Sequence, residues 1–319
     1  MDTAIVTGAA GFIGSHLAEK LLEENTQVIG IDCFTDYYSK KIKENNISHL
    51  LKNENFTFIE QDLKNLDLLP MFQKSSYLFH LAAQPGVRAS WGKTFQTYVQ
   101  ENIQVTQRIL EFAKMTGSFK KIVLASSSSV YGNQSGLMSE DTTVLKPLSP
   151  YGVTKLASEN LGTVYAENFG LPVNSLRFFT VYGPRQRPDM AFNNFIKNGL
   201  SNKKIKIFGD GEQSRDFTFI SDIVDANLLA SKSEISGEVF NVGGGHIVTI
   251  NHVLKELSNL LNKELDIQYV ESQPGDVKHT SADISKAKSK LDYDPKIEIN
   301  EGLRKEVDYV KNNLNLYVD

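Results

Sequence analysis

Tyr151 and Lys155 lie four residues apart in the run Ser149 Pro150 Tyr151 Gly152 Val153 Thr154 Lys155, a spacing that puts both on one face of a helix. An unperturbed phenol titrates near ~10, so a tyrosine accepts a proton at neutral pH only when something favours its phenolate. An ammonium one helical turn away does this, and the two residues read as an acid/base pair acting on an alcohol. Such chemistry also needs a held substrate oxygen and an electron acceptor. Four serines, 126 to 129, close an apolar stretch upstream and offer the hydroxyls.

The acceptor site is expected at the start of the chain. Ala4 Ile5 Val6 Thr7 Gly8 Ala9 Ala10 Gly11 Phe12 Ile13 Gly14 reads as strand, tight turn and helix start. Glycine lets backbone approach a pyrophosphate, whose charge the following helix N-terminus favours. The spacing Gly-x-x-Gly-x-x-Gly departs from the common Gly-x-Gly-x-x-Gly, and three glycines in a turn have a purely structural reading as well. Context favours the dinucleotide site: the next strand-like run ends at Ile31 and is followed by Asp32, placed to bind the adenosine ribose hydroxyls. A carboxylate there repels a 2′-phosphate, so NAD is expected over NADP. Asp62 and Leu63 follow the third strand-like run and are expected beside the adenine, although Asp62 reads equally as a solvated helix-start acid.

These groups need a scaffold. Short β-branched or aromatic runs alternate with longer helix-like segments, the pattern of β/α units. Strands are expected at 3–7, 27–31, 56–60, 77–81, 121–126 and 173–179, and helices at 12–24, 39–52, 65–75, 94–116 and 152–169. The connection rules then give an α/β fold, a Rossmann-type doubly wound parallel sheet. From about residue 181 glycines and prolines punctuate shorter elements. Residues 1–180 are expected to form the NAD-binding domain and 181–319 a smaller mixed α/β substrate domain over the sheet's carboxyl edge, interleaved at the boundary. Helices 94–116 and 152–169 carry apolar residues on more than one face, which fits a homodimer through them or burial under the second half.

Composition excludes several classes. The chain has 319 residues and a net charge of −4 with acids and bases interspersed, so no basic field for nucleic acid exists. Cys33 is the only cysteine and the six histidines are scattered, which leaves no disulfide and no metal cluster. No apolar run approaches the ~20 residues that span a bilayer. A cytoplasmic protein with no membrane partner is expected. His80 is read as a satisfied strand-end histidine, Trp91 as core or pocket lining, Phe192 and Phe195 as helix packing, and Lys40 Lys41 Ile42 Lys43 as a solvated helix face.

With its glycine turn, a serine run before Val130 Tyr131 Gly132, and the Tyr151/Lys155 pair, the chain resembles the extended short-chain dehydrogenase/reductase family, and within it the nucleotide-sugar epimerases. The likeness extends to His80 Leu81 Ala82 Ala83, Gly209 Asp210 Gly211, and Ala282 Asp283 Ile284 Ser285 Lys286. More specific segments, Asp36 Tyr37 Tyr38, Gln84 Pro85 Gly86 Val87 Arg88 and Pro184 Arg185 Gln186 Arg187 Pro188 Asp189, look like UDP-glucuronate 4-epimerases. The resemblance implies that Tyr151 is the base, that Lys155 lowers its pKa and holds the nicotinamide ribose, and that Ser127 binds the reacting hydroxyl, with Ser128 the neighbouring register. It implies cofactor contacts from Gly8, Gly11, Phe12, Ile13, Gly14, Leu81, Ala82, Ala83 and Asn102, and substrate contacts from Thr180, Arg215 and Asp276.

The implied reaction is oxidation of a UDP-sugar at C4, rotation of the 4-keto sugar, and reduction from the other face. A glucuronate substrate passes through a β-keto acid, so its carboxylate must be restrained against loss of carbon dioxide. Arg185 is the first expectation for that grip, because it follows a strand ending at the binding edge; Arg88 and Arg187 are the others. The rivals are UDP-glucose or a UDP-N-acetylhexosamine as substrate, a UDP-glucuronate decarboxylase, and a non-catalytic NAD-binding sensor.

Overall fold

The computed structural model describes residues 1–134 and 136–317. Twelve strands run in chain order: β1 (Thr3–Thr7), β2 (Gln27–Asp32), β3 (Phe56–Glu60), β4 (Tyr77–His80), β5 (Lys121–Ser127), β6 (Val173–Phe178), β7 (Thr180–Tyr182), β8 (Ile205–Phe208), β9 (Ser214–Phe219), β10 (Val239–Val242), β11 (Ile247–Thr249) and β12 (Ile267–Val270). Seven of them form a parallel sheet in the order β10-β6-β5-β4-β1-β2-β3. The order reverses at β1, between β2 and β4, and the carboxyl ends there open the crevice where such sheets bind ligands.

Alternation along the strands sends neighbours to opposite faces. Val6, Phe79 and Val123 enter one buried cluster, while Ile5, Leu78 and Ile122 enter another. Helices Phe12–Glu23 and Ile220–Lys232 pack together on the first face, and Val105–Thr116 with Pro150–Phe169 on the second. Because both faces are covered, the strands read as nearly continuous apolar runs rather than alternating ones.

The second half adds a three-stranded sheet, β11-β9-β7, and the parallel pair β12-β8. The first cluster runs without interruption from Ala4 and Val6 to Phe217 and Leu303, so the two halves share one core. Strand β10, which the sequence reading omits, returns from the second half to pair with β6.

Four helices differ from expectation: the segment expected as 39–52 is α-helical only over Lys40–Ile47, with a separate 3-10 turn at Leu50–Lys52. The segment expected as 65–75 contains only Leu69–Phe72; Asp67 caps the Leu69 N–H, and Pro70 fixes the start at the first turn. The segment 94–116 is broken: Phe95–Tyr98 is α-helical, Val99–Gln104 is a π-turn, and Val105–Thr116 is α-helical again. The helix expected from 152 begins at Pro150, with the Ser149 hydroxyl accepting the Gly152 N–H and proline at the first position, a favoured N-terminal pairing.

Candidate active site

The glycine turn follows β1 at the crevice. A Cβ on Gly14 would collide with the Gly8 carbonyl oxygen, and one on Gly11 would lie 3.0 Å from the same atom. Gly8 itself has φ +69° with Ala82 backbone 3.0 Å from its would-be Cβ. The turn therefore closes only with glycine at these positions and leaves backbone bare toward the cavity. Asp32, at the end of β2, accepts the Ala10 N–H at 3.2 Å and the Phe34 N–H at 2.9 Å. Burial raises its pKa, opposed by those N–H groups and by Lys43.

One cavity joins these groups to the chemistry. Gly8, Gly11, Phe12, Ile13, Gly14, Asp32, Asp62, Leu63, Leu81, Ala82, Ala83, Tyr151 and Lys155 all line it, together with Cys33, Tyr37, Tyr38, Lys43, Ser126 and Arg187. Asn102 does not. It is buried one layer behind, where its side chain accepts the Gln84 N–H at 2.7 Å and donates to Gln84 O and Thr154 Oγ1. The π-turn places it there, so Asn102 fixes the cavity wall rather than forming it.

Tyr151 sits in the first turn of helix Pro150–Phe169, its ring edge-on to Tyr98 with 6.3 Å between centroids. Burial holds its phenol above the ordinary tyrosine value, contrary to the expected lowering, and nearby Ser127 and the charge of Arg187 only oppose that rise. Of the four serines it is Ser127 that bears on the phenol, but neither it nor Ser128, at the start of the next turn, lines either cavity; Ser126 alone of the run does, and the Ser127 hydroxyl donates to Ser129 Oγ at 3.2 Å. Lys155 is directed differently from expectation. Its Nζ donates to the Ala125 carbonyl at 2.8 Å, and burial draws its pKa down to about 8. The cation whose charge bears on Tyr151 is Arg187.

A buried ion pair stiffens the floor. Arg177 on β6 donates Nε and Nη2 to Glu159 at 3.0 and 2.6 Å, and Nη1 to the Tyr131 hydroxyl at 2.7 Å. Glu159 also takes the Ser126 hydroxyl at 2.7 Å, and Tyr131 donates to Asn241 on β10 at 2.8 Å. Two turns below Tyr151, Glu159 thus ties the helix that bears it to β5, β6 and, through Arg177 and Tyr131, β10.

A second cavity opens beyond Tyr37, lined by Arg88, Thr180, Asp189, Asn194, Phe195, Phe208, Arg215 and Asp276 among others. Arg88 pairs with Asp276 at 2.7 Å and stacks 4.0 Å over Phe208. Arg215 donates to the Ser214 and Lys278 carbonyls at 2.8 and 3.1 Å. Cationic and aromatic groups converge here, as an anionic nucleotide requires.

Arg185 lies outside both cavities. Its backbone is left-handed, φ +65°, and its side chain turns back to Glu19 Oε2 at 2.8 Å and Ser15 Oγ at 3.4 Å. Arg187, two residues on, faces the cleft and is held by Asp189 through two 3.0 Å bonds. Other expectations also shift. Lys43 is buried, with Nζ on the Thr35 carbonyl at 2.7 Å. Trp91 is half exposed and Phe192 is wholly in the core. Phe195 forms part of the second cavity. His80 is satisfied between Thr7 and Thr106 at 2.8 and 3.1 Å. Among the described residues no group of metal-ligating side chains occurs, and no helix is long and apolar enough to cross a membrane.

Sequence reasoning gave no site role to Cys33, Tyr37 or Tyr38, all of which line the first cavity; for the two tyrosines the only signal was the Asp36 Tyr37 Tyr38 run itself.

The family described as GDP-mannose 4,6 dehydratase matches residues 5–306. A protein of Bacillus subtilis named as an uncharacterized UDP-glucose epimerase is 47% identical, over 96% of this chain and 97% of its own. The UDP-glucuronate 4-epimerase of Thermodesulfobacterium geofontis is 43% identical, over 99% of this chain and 98% of its own. A crystal structure of UDP-glucuronic acid 4-epimerase from Bacillus cereus, in complex with UDP-glucuronic acid and NAD, superposes with a TM-score of 0.95 at 47% identity, covering 98% of this chain and 99% of that one.

Proposed function

The chain belongs to the GDP-mannose 4,6-dehydratase family of short-chain dehydrogenase/reductase enzymes, and from that membership we propose that it is an NAD-dependent UDP-glucuronate 4-epimerase, interconverting UDP-glucuronate and UDP-galacturonate. The observation that carries the reading is a single cavity wall on which Tyr151, Lys155, Asp32 and Arg187 all stand. The residues fit NAD: the glycine cradle has no room for side chains, and Asp32 ends β2 where a ribose hydroxyl is recognised. Held there by the glycine turn and Asp32, NAD would supply reversible hydride exchange with the sugar C4, with no net redox.

The protein's own groups handle the proton and the pose. Tyr151 removes the C4 hydroxyl proton and returns it to the C4 oxygen once the centre is inverted, and Ser127 holds that oxygen. The uridine diphosphate belongs in the second cavity, with Arg88 and Arg215 toward its charge and Thr180 and Asp276 on its walls. Arg187 is the cleft arginine suited to the sugar carboxylate, since Arg185 is taken up by Glu19. Restraining that carboxylate keeps the β-keto acid intermediate from losing carbon dioxide.

Incubation with UDP-glucuronate, UDP-glucose and UDP-N-acetylglucosamine, with products identified by NMR, tests the reading. UDP-galacturonate from UDP-glucuronate is the expected result. A pentose product with carbon dioxide release identifies a decarboxylase instead, and NAD binding with no turnover of any sugar identifies a sensor. A cytoplasmic homodimer completes the reading. Cys33 is the sole cysteine, and Phe95, Met115, Val153, Val164 and Phe169 leave apolar surface exposed around the two helical segments expected at the dimer seam; sedimentation velocity at twice the chain mass is the expected result.

A further inference from the structure

Tyr37 is the one residue that lines both cavities among the described residues. It lies on the loop after β2, and three contacts fix it. The Arg187 guanidinium lies 5.9 Å from its ring centroid. Its hydroxyl donates to Asp189 Oδ2 at 3.4 Å. The same hydroxyl presses on Gly86, where a Cβ would come within 2.5 Å of it. The Gly86 wall is itself braced, because the Tyr98 hydroxyl lies 2.8 Å from both the Pro85 and Gly86 carbonyls.

Asp189 connects this residue to the cleft arginine. Its two oxygens accept Arg187 Nε and Nη2, and no described residue takes Nη1. The guanidinium is therefore seated edge-on against a carboxylate, whose own seat is a phenol from the other half of the protein. Paired hydrogen bonds to an incoming carboxylate need a fixed guanidinium plane, and small misplacements near the reacting centre are costly.

We propose that Tyr37, acting through Asp189, is a positioning residue for Arg187 and sets the preference for a sugar bearing a C6 carboxylate over a neutral one; this rests on the function proposed above. A neutral hydroxymethyl group makes no ion pair with Arg187, so its binding is indifferent to how the guanidinium is held. A loosely held carboxylate also opens the side reaction. After oxidation at C4, the C5–C6 bond breaks, carbon dioxide leaves, and the electron pair passes to the C4–C5 enolate, which takes up a proton. The product is a 4-keto pentose, and the cofactor is left reduced.

The test is a cycle of wild type, Tyr37→Phe, Arg187→Ala and the double variant, with dissociation constants for UDP-glucuronate and UDP-glucose and product analysis by NMR. Phenylalanine keeps the ring and removes only the hydroxyl. Tyr37→Phe is expected to weaken UDP-glucuronate binding about five- to tenfold, a change of about 1 kcal/mol, and UDP-glucose binding less than about twofold, and to raise the fraction of 4-keto pentose. In the Arg187→Ala background it should leave the ratio of the two constants unchanged. Equal weakening for both sugars, or an undiminished effect without Arg187, overturns the proposal. A wild-type enzyme that leaves UDP-glucuronate unconverted overturns instead the functional reading beneath it.

Discussion

Lys155 gives the sharpest physical test, because it is a buried charge with little compensation. Only 7% of the residue is exposed, and its one hydrogen bond among the described residues goes to the Ala125 carbonyl. The fall from 10.5 in an ordinary lysine to about 8 corresponds to about 3 kcal/mol against the charged folded form at neutral pH. Lys155→Met removes that cost and fills the same volume, while losing a hydrogen bond that contributes roughly 1 kcal/mol. The variant is thus expected to be about 2 kcal/mol more stable than wild type at pH 7, and inactive. The difference narrows as pH rises. Between about 8 and 10.5 the unfolded chain holds a proton on Lys155 that the folded chain has released, so wild-type stability rises through this window relative to the variant. By about pH 10 the advantage of methionine should have closed. Urea unfolding of nucleotide-free protein at about pH 7 and about pH 10 measures it. A variant less stable than wild type at neutral pH, or a difference independent of pH, refutes the reasoning.

Arg187→Ala should lower kcat/KM for UDP-glucuronate by about thirtyfold or more, since truncating one side of a desolvated ion pair costs about 2 kcal/mol upward, with a smaller loss on UDP-glucose. Arg185→Ala, whose partner is Glu19, should change both sugars alike; steady-state kinetics on the two substrates separates the cases. Glu159→Gln leaves Arg177 buried with a weakened partner and should destabilise by about 3 kcal/mol or more, read as a lower urea midpoint. Gly14→Ala drives a Cβ into the Gly8 carbonyl, and calorimetric titration should find NAD binding weakened about tenfold or more, equivalent to about 1.4 kcal/mol.

The parallel sheet was legible because its strands are buried on both faces. Continuous apolar runs such as Ala4 Ile5 Val6 and Ile122 Val123 Leu124 stand out from any helical period. Strand β10 escaped because it is four residues long and follows a helix in the less regular half; only its pairing with β6 makes it part of the sheet. The π-turn at Val99–Gln104 was illegible for another reason. One extra residue in a turn shifts the following positions around the helix axis, a shift hidden in a segment whose apolar residues already lie on more than one face; Asn102 is turned toward Gln84 and away from the cavity.

The arginines mark where sequence spacing ceases to decide function. Arg185 and Arg187 are two residues apart in one loop, and an extended chain would send both side chains the same way. The left-handed backbone at Arg185 breaks that parity, a conformation uncommon outside glycine and asparagine and so not predictable for arginine. The loop is tied in this form by Gln186, which accepts the Asn193 N–H at 2.9 Å and donates to the Val181 carbonyl at 3.0 Å. With Gln186 fixed inward, Arg185 is committed to Glu19 and Arg187 to the cleft. On the proposed function, substrate charge selection would therefore depend on a backbone turn whose determinants, Gln186 and Asn193, line neither cavity.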